Sequence, residues 1–212
     1  TSEGLNRFDV KHYKIFTHSA GDNNSLGNNC ILSLYESDDR KLWLGTELGL
    51  YIYDLVSEEF QRFDTKTEDE VIISTGVSKI IGGDQDKIWI GTLGQGYFIY
   101  DRQTEVLRQN TRYSSYIWAL HKNPAGNMFF NTDEGDIVEL NRAGNYLNTY
   151  KSPGLSNNLR NIKVTSIYYK DGILWYGLDI FGLVRLELQT KEMRMLTPVG
   201  NNSTSYIPSI QP

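Results

Sequence analysis

The sequence predicts an all-β chain that builds part of a β-propeller, and three observations carry the prediction. An aromatic phrase recurs: Leu42-Trp43-Leu44-Gly45-Thr46, Ile88-Trp89-Ile90-Gly91-Thr92, Met128-Phe129-Phe130-Asn131-Thr132 and Leu174-Trp175-Tyr176-Gly177. Its aromatics stand 46, 40 and 46 residues apart. Each repeat also holds several short apolar runs, and no stretch shows the 3.6-residue period of a helix. Repeats of roughly 40–45 residues with several strands each fit propeller blades and not helical solenoids.

The elements follow in order within each repeat. The first strand carries apolar pairs three residues apart: Ile31 with Leu34, Val77 with Ile80, Ile117 with Leu120 and Val164 with Ile167. Such pairs fall on opposite faces of a strand, so burial is expected on both sides. The second strand repeats the message, with Leu42 and Leu44 on one face and Trp43 and Gly45 on the other. Its aromatic is expected to be buried in every repeat. A glycine-bearing turn and a third strand ending in an acid or amide come next, at 49–54, 96–101, 136–141 and 182–187. A weaker fourth strand is expected at Phe60–Phe63, Val106–Gln109, Leu147–Tyr150 and Met193–Leu196, after polar hairpin turns such as Asp101-Arg102-Gln103-Thr104.

The ends are out of phase with the blades. Gly4-Leu5-Asn6-Arg7-Phe8-Asp9 repeats the third-strand phrase and Tyr13–Phe16 the fourth, whereas residues from Asn201 to Ile210 match only the start of a unit. The expectation is one propeller fragment over 1–212. It comprises a partial blade at 1–16, four full four-stranded antiparallel blades at 17–64, 65–110, 111–151 and 152–197, and the start of another at 198–212. The chain reads as an excerpt of a longer protein whose open ends favour self-association through exposed blade faces. Pairing of Ile207–Ile210 beside Gly4–Phe16 to close a small ring is the less favoured outcome.

The unit from Ser25 to Glu36, with Leu42–Thr46, Gly49-Leu50, Tyr53-Asp54 and Phe60-Gln61-Arg62-Phe63, resembles a two-component regulator propeller repeat. The Asn28-Asn29 lead, the Leu-Trp-Leu-Gly-Thr strand and the Gly-Leu…Tyr-Asp strand occur in fixed order, which makes the resemblance specific. It runs over four full copies and two partial ones. The resemblance implies the periplasmic sensor region of a hybrid histidine kinase, chiefly a protein of gut bacteria. Two consecutive propellers, a β-sandwich module, a membrane span and cytoplasmic signalling domains would complete it. It further implies an oligosaccharide ligand and an output to transcription of polysaccharide-utilisation genes. The motif encodes no ligand contacts, so no binding residue carries over. The third repeat departs from the pattern, with Phe129 for Trp and Asn131 for Gly. Asparagine tolerates unusual backbone angles, so a strand in a less regular blade is expected there.

Composition narrows the function classes. A net charge of −5 speaks against nucleic acid and anionic membrane surfaces, and no apolar run is long enough to insert into a membrane. The single cysteine, Cys30, permits no intrachain disulfide and reads as a small core filler. His12, His18 and His121 lack metal-ligand spacing and read as surface or strand-end residues. Asp38-Asp39, Asp84 with Asp86, and Glu68-Asp69-Glu70 read as solvated turn acids, so no metal and no cofactor are expected. The Asp-box of sialidase-like propellers fails here, because Arg40 and Asp86 stand where its glycine would be. Gly91-Thr92-Leu93-Gly94-Gln95-Gly96 looks like a phosphate loop but joins two strands, and is expected to be a hairpin.

One segment has more aromatic and polar character than the repeat requires: Asn110-Thr111-Arg112-Tyr113-Ser114-Ser115-Tyr116-Ile117-Trp118. Trp118 aligns with Leu32, Ser78 and Thr165, so the fold does not demand an aromatic there. Sugars are held by aromatic faces and hydrogen-bonding side chains, which makes Arg112, Tyr113, Tyr116 and Trp118 the candidate ligand-binding residues. A packed connection between blades is the competing account. Asn157-Asn158 with Arg160 is a weaker candidate. No catalytic residue is expected in a ligand-sensing region; a glycan lyase or hydrolase, marked by acids clustered near His121, and a pure interaction or dimerisation scaffold are the alternatives.

Overall fold

The computed structural model describes residues 2–22, 24–153, 162–179 and 181–196. Eighteen strands and no helix lie among them. The chain divides into two compact units, 1–110 and 111–212, at the junction between the expected second and third blades.

The first unit begins with a ribbon of β1 (Leu5–Asp9) and β2 (His12–Phe16). One sheet follows from β3 (Ile31–Glu36), β4 (Lys41–Thr46), β5 (Gly49–Asp54) and β6 (Phe60–Arg62). A second holds β7 (Val77–Gly82), β8 (Lys87–Thr92), β9 (Tyr97–Asp101) and β10 (Val106–Asn110). Both are four-stranded antiparallel meanders with neighbours in chain order. The turns obey their side chains. Thr46 Oγ1 and Thr92 Oγ1 close the second hairpin by donating to Gly49 O and Gly96 O at 3.0 and 2.7 Å. Asp54 and Asp101 end the third strand because one carboxylate oxygen accepts two turn amides, from Val56 and Ser57 or from Gln103 and Thr104. The glycine-rich segment at 91–96 is the expected β8–β9 hairpin.

Side-chain alternation gives each full sheet two apolar faces. Leu44 and Tyr53 pack with Leu5, Leu26, Ile31 and Phe60 on one side. Trp43, Leu50 and Phe63 pack with Val77, Ile80, Ile88, Ile90 and Phe98 of the next sheet on the other. Gly45 is the price of that approach: a Cβ there would overlap Ser33 Oγ and Val77 O, and Ser33 Oγ donates to Val77 O at 2.9 Å. Leu34 departs from the expectation of burial, being 51% exposed. Its counterpart Ile80 is covered by the preceding sheet, whereas β3 is preceded only by the two-stranded ribbon.

The second unit repeats the plan. Its first sheet is β11 (Leu120–Lys122), β12 (Met128–Asn131), β13 (Ile137–Leu140) and β14 (Tyr146–Tyr150); its second is β15 (Val164–Lys170), β16 (Ile173–Leu178), β17 (Gly182–Glu187) and β18 (Met193–Leu196). Phe129, Ile137 and Tyr150 pack against Val164, Ile167, Leu174 and Tyr176. The expected irregularity of the third blade is real: β11 has three residues, and the register shifts between Glu139 and Leu140. A buried carboxylate joins this core fully bonded. Glu139, 8% exposed, accepts from Tyr150 Oη at 2.7 Å and Asn127 Nδ2 at 2.8 Å, and burial beside that carboxylate pushes the Tyr150 phenol up to about 12.

Trp43 and Trp89 are 2% exposed and Phe129 is fully buried, but Trp175 is only half-buried, with the Arg185 guanidinium 6.0 Å from its ring centroid. In the first unit the matching aromatic, Trp43, is covered by the following sheet. No sheet follows β18 among the described residues, so burial of the aromatic in every repeat does not hold there. Ile207–Ile210 lies outside the described residues.

Candidate functional site

The candidate segment leaves β10 and reaches β11 across nine residues, 111–119, that pair in no regular ladder. Its side chains form two groups. The Arg112 guanidinium lies 5.5 Å from the Tyr113 ring centroid. Tyr113 in turn sits 5.9 Å from Tyr146, with rings within 13° of parallel, and meets Phe130 edge-on at 6.0 Å. That half-buried position matches the packed-connection account. The second group is more open. Tyr116 is 42% exposed and stands 6.3 Å from Trp118, the two rings within 14° of parallel. The Lys163 ammonium lies 4.8 Å from the Trp118 ring centroid, a cation–π contact.

Two residues outside the candidate set hold this second group. Asp133 accepts from Ser114 Oγ at 2.7 Å and from the Ser115 and Tyr116 amides at 3.3 Å each. Asn131, fully buried, bonds the main chain on both sides of Trp118. Between them Ile117 is fully buried and anchors the segment. The sequence marked Asn131 as a departure from glycine, but for backbone freedom. In the structure its backbone is ordinary strand, absent from the positive-φ residues, and its carboxamide does the bonding.

The remaining candidates resolve as follows. His12 and His18 are exposed, with His18 Nδ1 3.0 Å from Leu26 O. His121 is half-buried on β11, not at a surface or strand end. Its ring meets Tyr168 edge-on at 6.3 Å, and burial pushes the imidazole down from its usual value. That environment is aromatic and disfavours the charged imidazole. Among the described residues no group of three or more His, Cys, Asp or Glu could hold a metal ion.

Asp38, Asp39 and Asp86 are not simply solvated. The Arg102 guanidinium lies 2.7 Å from Asp38, 3.1 Å from Asp39 and 2.7 Å from Asp86. It ties two hairpin turns of neighbouring sheets across a 420 Å³ hollow, and it holds the Asp38 carboxyl below the usual range. Cys30 is half-buried, not core, and the Glu47 carboxylate beside it pushes its thiol up. The Asn157-Asn158 and Arg160 candidate lies outside the described residues.

Residues 25–48 match the family model of the two component regulator propeller. The match falls on the unit from which the resemblance was read, Asn28-Asn29 through the Trp43 strand. No curated protein matches the chain. Among solved structures, the extracellular domain of the putative hybrid two component system BT3049 from B. thetaiotaomicron superposes with a TM-score of 0.75 at 20% identity. The alignment covers 97% of this chain and 27% of that one. The extracellular domain of the putative one component system BT4673 of the same organism gives 0.74 at 13% identity, over 99% of this chain and 29% of that one. An auxiliary nutrient binding protein from B. thetaiotaomicron gives 0.59 at 12% identity, over 78% and 40%. At these identities the likeness establishes the fold, a partial β-propeller of four-stranded antiparallel blades. The chain spans under a third of the length of the first two.

Proposed function

We propose that this chain is the ligand-sensing propeller region of an extracytoplasmic, periplasmic sensor in a hybrid two-component histidine kinase. The carrying observation is the regulator-propeller match at 25–48 set in a fold shared with the extracellular domain of a putative hybrid two component system. In this reading the region recognises an oligosaccharide without turning it over, and the parent protein signals to transcription of polysaccharide-utilisation genes. Tyr116 and Trp118 form its ligand face, with Arg112 and Tyr113 supporting the segment from which they project. Near-parallel rings, Tyr116 exposed and Trp118 half-buried, beside an ammonium suit a sugar, which offers C–H faces to aromatic rings and hydroxyls to a donor. Glycan-array binding by the intact protein tests this. Binding is expected with the oligosaccharide recovered unchanged; no binding to any glycan, or cleavage products, would refute it.

Self-association belongs to the same proposal. Cross-strand register places Phe8 beside Tyr13 and Ile15 beside Asn6 on one face of the β1–β2 ribbon. Phe8 and Tyr13 are each 66% exposed and Ile15 59%. A second copy of the chain is the proposed cover for that apolar face. Light scattering is expected to show concentration-dependent dimers that the double change Phe8→Lys and Ile15→Lys abolishes. A monomer at all concentrations would contradict it.

A further inference from the structure

Asn131 occupies the place that Gly45, Gly91 and Gly177 hold in the other three blades. In those blades the first strand stays paired past this point with a single bulge, between Ile31 and Ser33, Val77 and Lys79, or Val164 and Ser166. The bulged residue is Leu32, Ser78 or Thr165. Ser78 Oγ folds back onto Gly91 O at 3.1 Å, and Thr165 Oγ1 onto Gly177 O at 3.4 Å. The small side chain is thereby spent on its own sheet.

In the third blade the ladder stops at Leu120 opposite Phe130. The residue aligned with Ser78 and Thr165 is Trp118, and a side chain has replaced the missing main-chain bonds. Asn131 Oδ1 accepts from the Trp118 amide at 2.8 Å and the Ala119 amide at 3.1 Å. Asn131 Nδ2 donates to Tyr116 O at 2.7 Å and Thr132 O at 3.2 Å. Every bond a carboxamide can make is used, and the residue is fully buried. The carboxamide acts as a spacer, holding residues 116–119 off the edge of β12 at fixed distance and orientation. Buried, fully satisfied amides of this kind specify one arrangement, because any other leaves donors and acceptors unpaired.

We propose that Asn131 is the positioning residue of the Tyr116–Trp118 ligand face. The departure from glycine and the departure to tryptophan are thus one adaptation that converts the start of an inner strand into a presented ring pair. This rests on the reading of that ring pair as the saccharide-facing surface.

The test compares wild type, Asn131→Gly, Trp118→Ala and the double variant in the intact protein. Hydrogen exchange at the Trp118 and Ala119 amides is expected to accelerate about tenfold or more in Asn131→Gly, since both lose their acceptor. Probed on an array of neutral and uronate-bearing oligosaccharides, Asn131→Gly is expected to weaken binding about as much as Trp118→Ala. The double variant is expected to bind no more weakly than Trp118→Ala alone. Unchanged exchange, or additive losses in the double variant, would overturn the proposal. If Asn131→Gly does not fold, Asn131→Ser is read on the same two measurements with the same two outcomes. Should no oligosaccharide bind wild type, the sensing proposal fails, while amide exchange still decides whether Asn131 holds the ring pair.

Discussion

Trp43→Ala, Trp89→Ala and Phe129→Ala are each expected to destabilise the protein by about 3–5 kcal/mol, the usual cost of truncating a large core aromatic. Trp43 is 2% exposed and packed against Phe63 at 5.5 Å and Tyr100 at 5.8 Å, with its indole N–H donating to Ser37 Oγ at 3.1 Å. Truncation removes the side chain that fills the space between two sheets and leaves a cavity that the flanking ladders cannot collapse to fill. Trp89 stacks on Tyr97 at 5.4 Å, and Phe129 lies in the middle of the second unit's core. Trp175→Ala is the internal control. Its ring is half-buried, so the loss is expected to be clearly smaller than in the other three. Denaturant midpoints decide: equal losses at all four positions would contradict the burial pattern, and no loss at the first three would contradict the blade alignment itself.

The blade plan was legible because it is written in features that repeat. Alternation across each strand, the aromatic of the second strand, and the acid or amide that ends the third each answer a local demand met once per blade. Even the weak fourth strands came within a residue or so, as at Phe60–Arg62 and Met193–Leu196. Errors arose where burial depends on what covers an element and not on the element itself. Leu34 has the pattern of a two-sided strand, and Trp175 that of an inter-sheet aromatic, but among the described residues neither has a full sheet against it. The acids around Arg102 were missed for a related reason. They stand 38, 39 and 86 in the chain, and only the packing of two turns brings them to one guanidinium.

The candidate segment was visible through its excess of aromatic residues, but its division into two groups was not. Tyr113 finds Tyr146 and Phe130 across the sheet, contacts between residues with no fixed spacing. Lys163 and Asp133 carry no motif either. Asn131 did leave a signal, a broken glycine, and the signal was read through the wrong property. Glycine is required at this place for space and not for backbone angle: Gly45 is not among the positive-φ glycines, yet a Cβ on it would overlap Ser33 Oγ and Val77 O.

That distinction yields the sharpest expected result. Gly45→Asn is expected to cost about 3 kcal/mol or more, although asparagine is the native residue at the equivalent place in the third blade. In the first blade the added atoms meet the backbone carbonyl of Val77, which belongs to β7 of the next sheet and cannot move without disturbing its ladder; overpacking of this kind usually costs 1–3 kcal/mol, occasionally more. In the third blade the chain opposite has already left the ladder, so the carboxamide fills a space instead of invading one. Gly45→Ala is expected to destabilise as well, since the first added carbon already overlaps. Gly76→Ala supplies the contrast. Its Cβ would stand 3.3 Å from Leu93 Cδ1 and 3.4 Å from Leu32 Cδ1, both mobile side-chain ends. Relief of unfolded-state entropy offsets that contact, so Gly76→Ala is expected to be near neutral. Thermal midpoints of the three variants measure it directly. Gly45→Asn as stable as wild type would mean that β3 can open as residues 116–119 do, and that a single asparagine is enough to turn an ordinary blade into one that presents its inner-strand start.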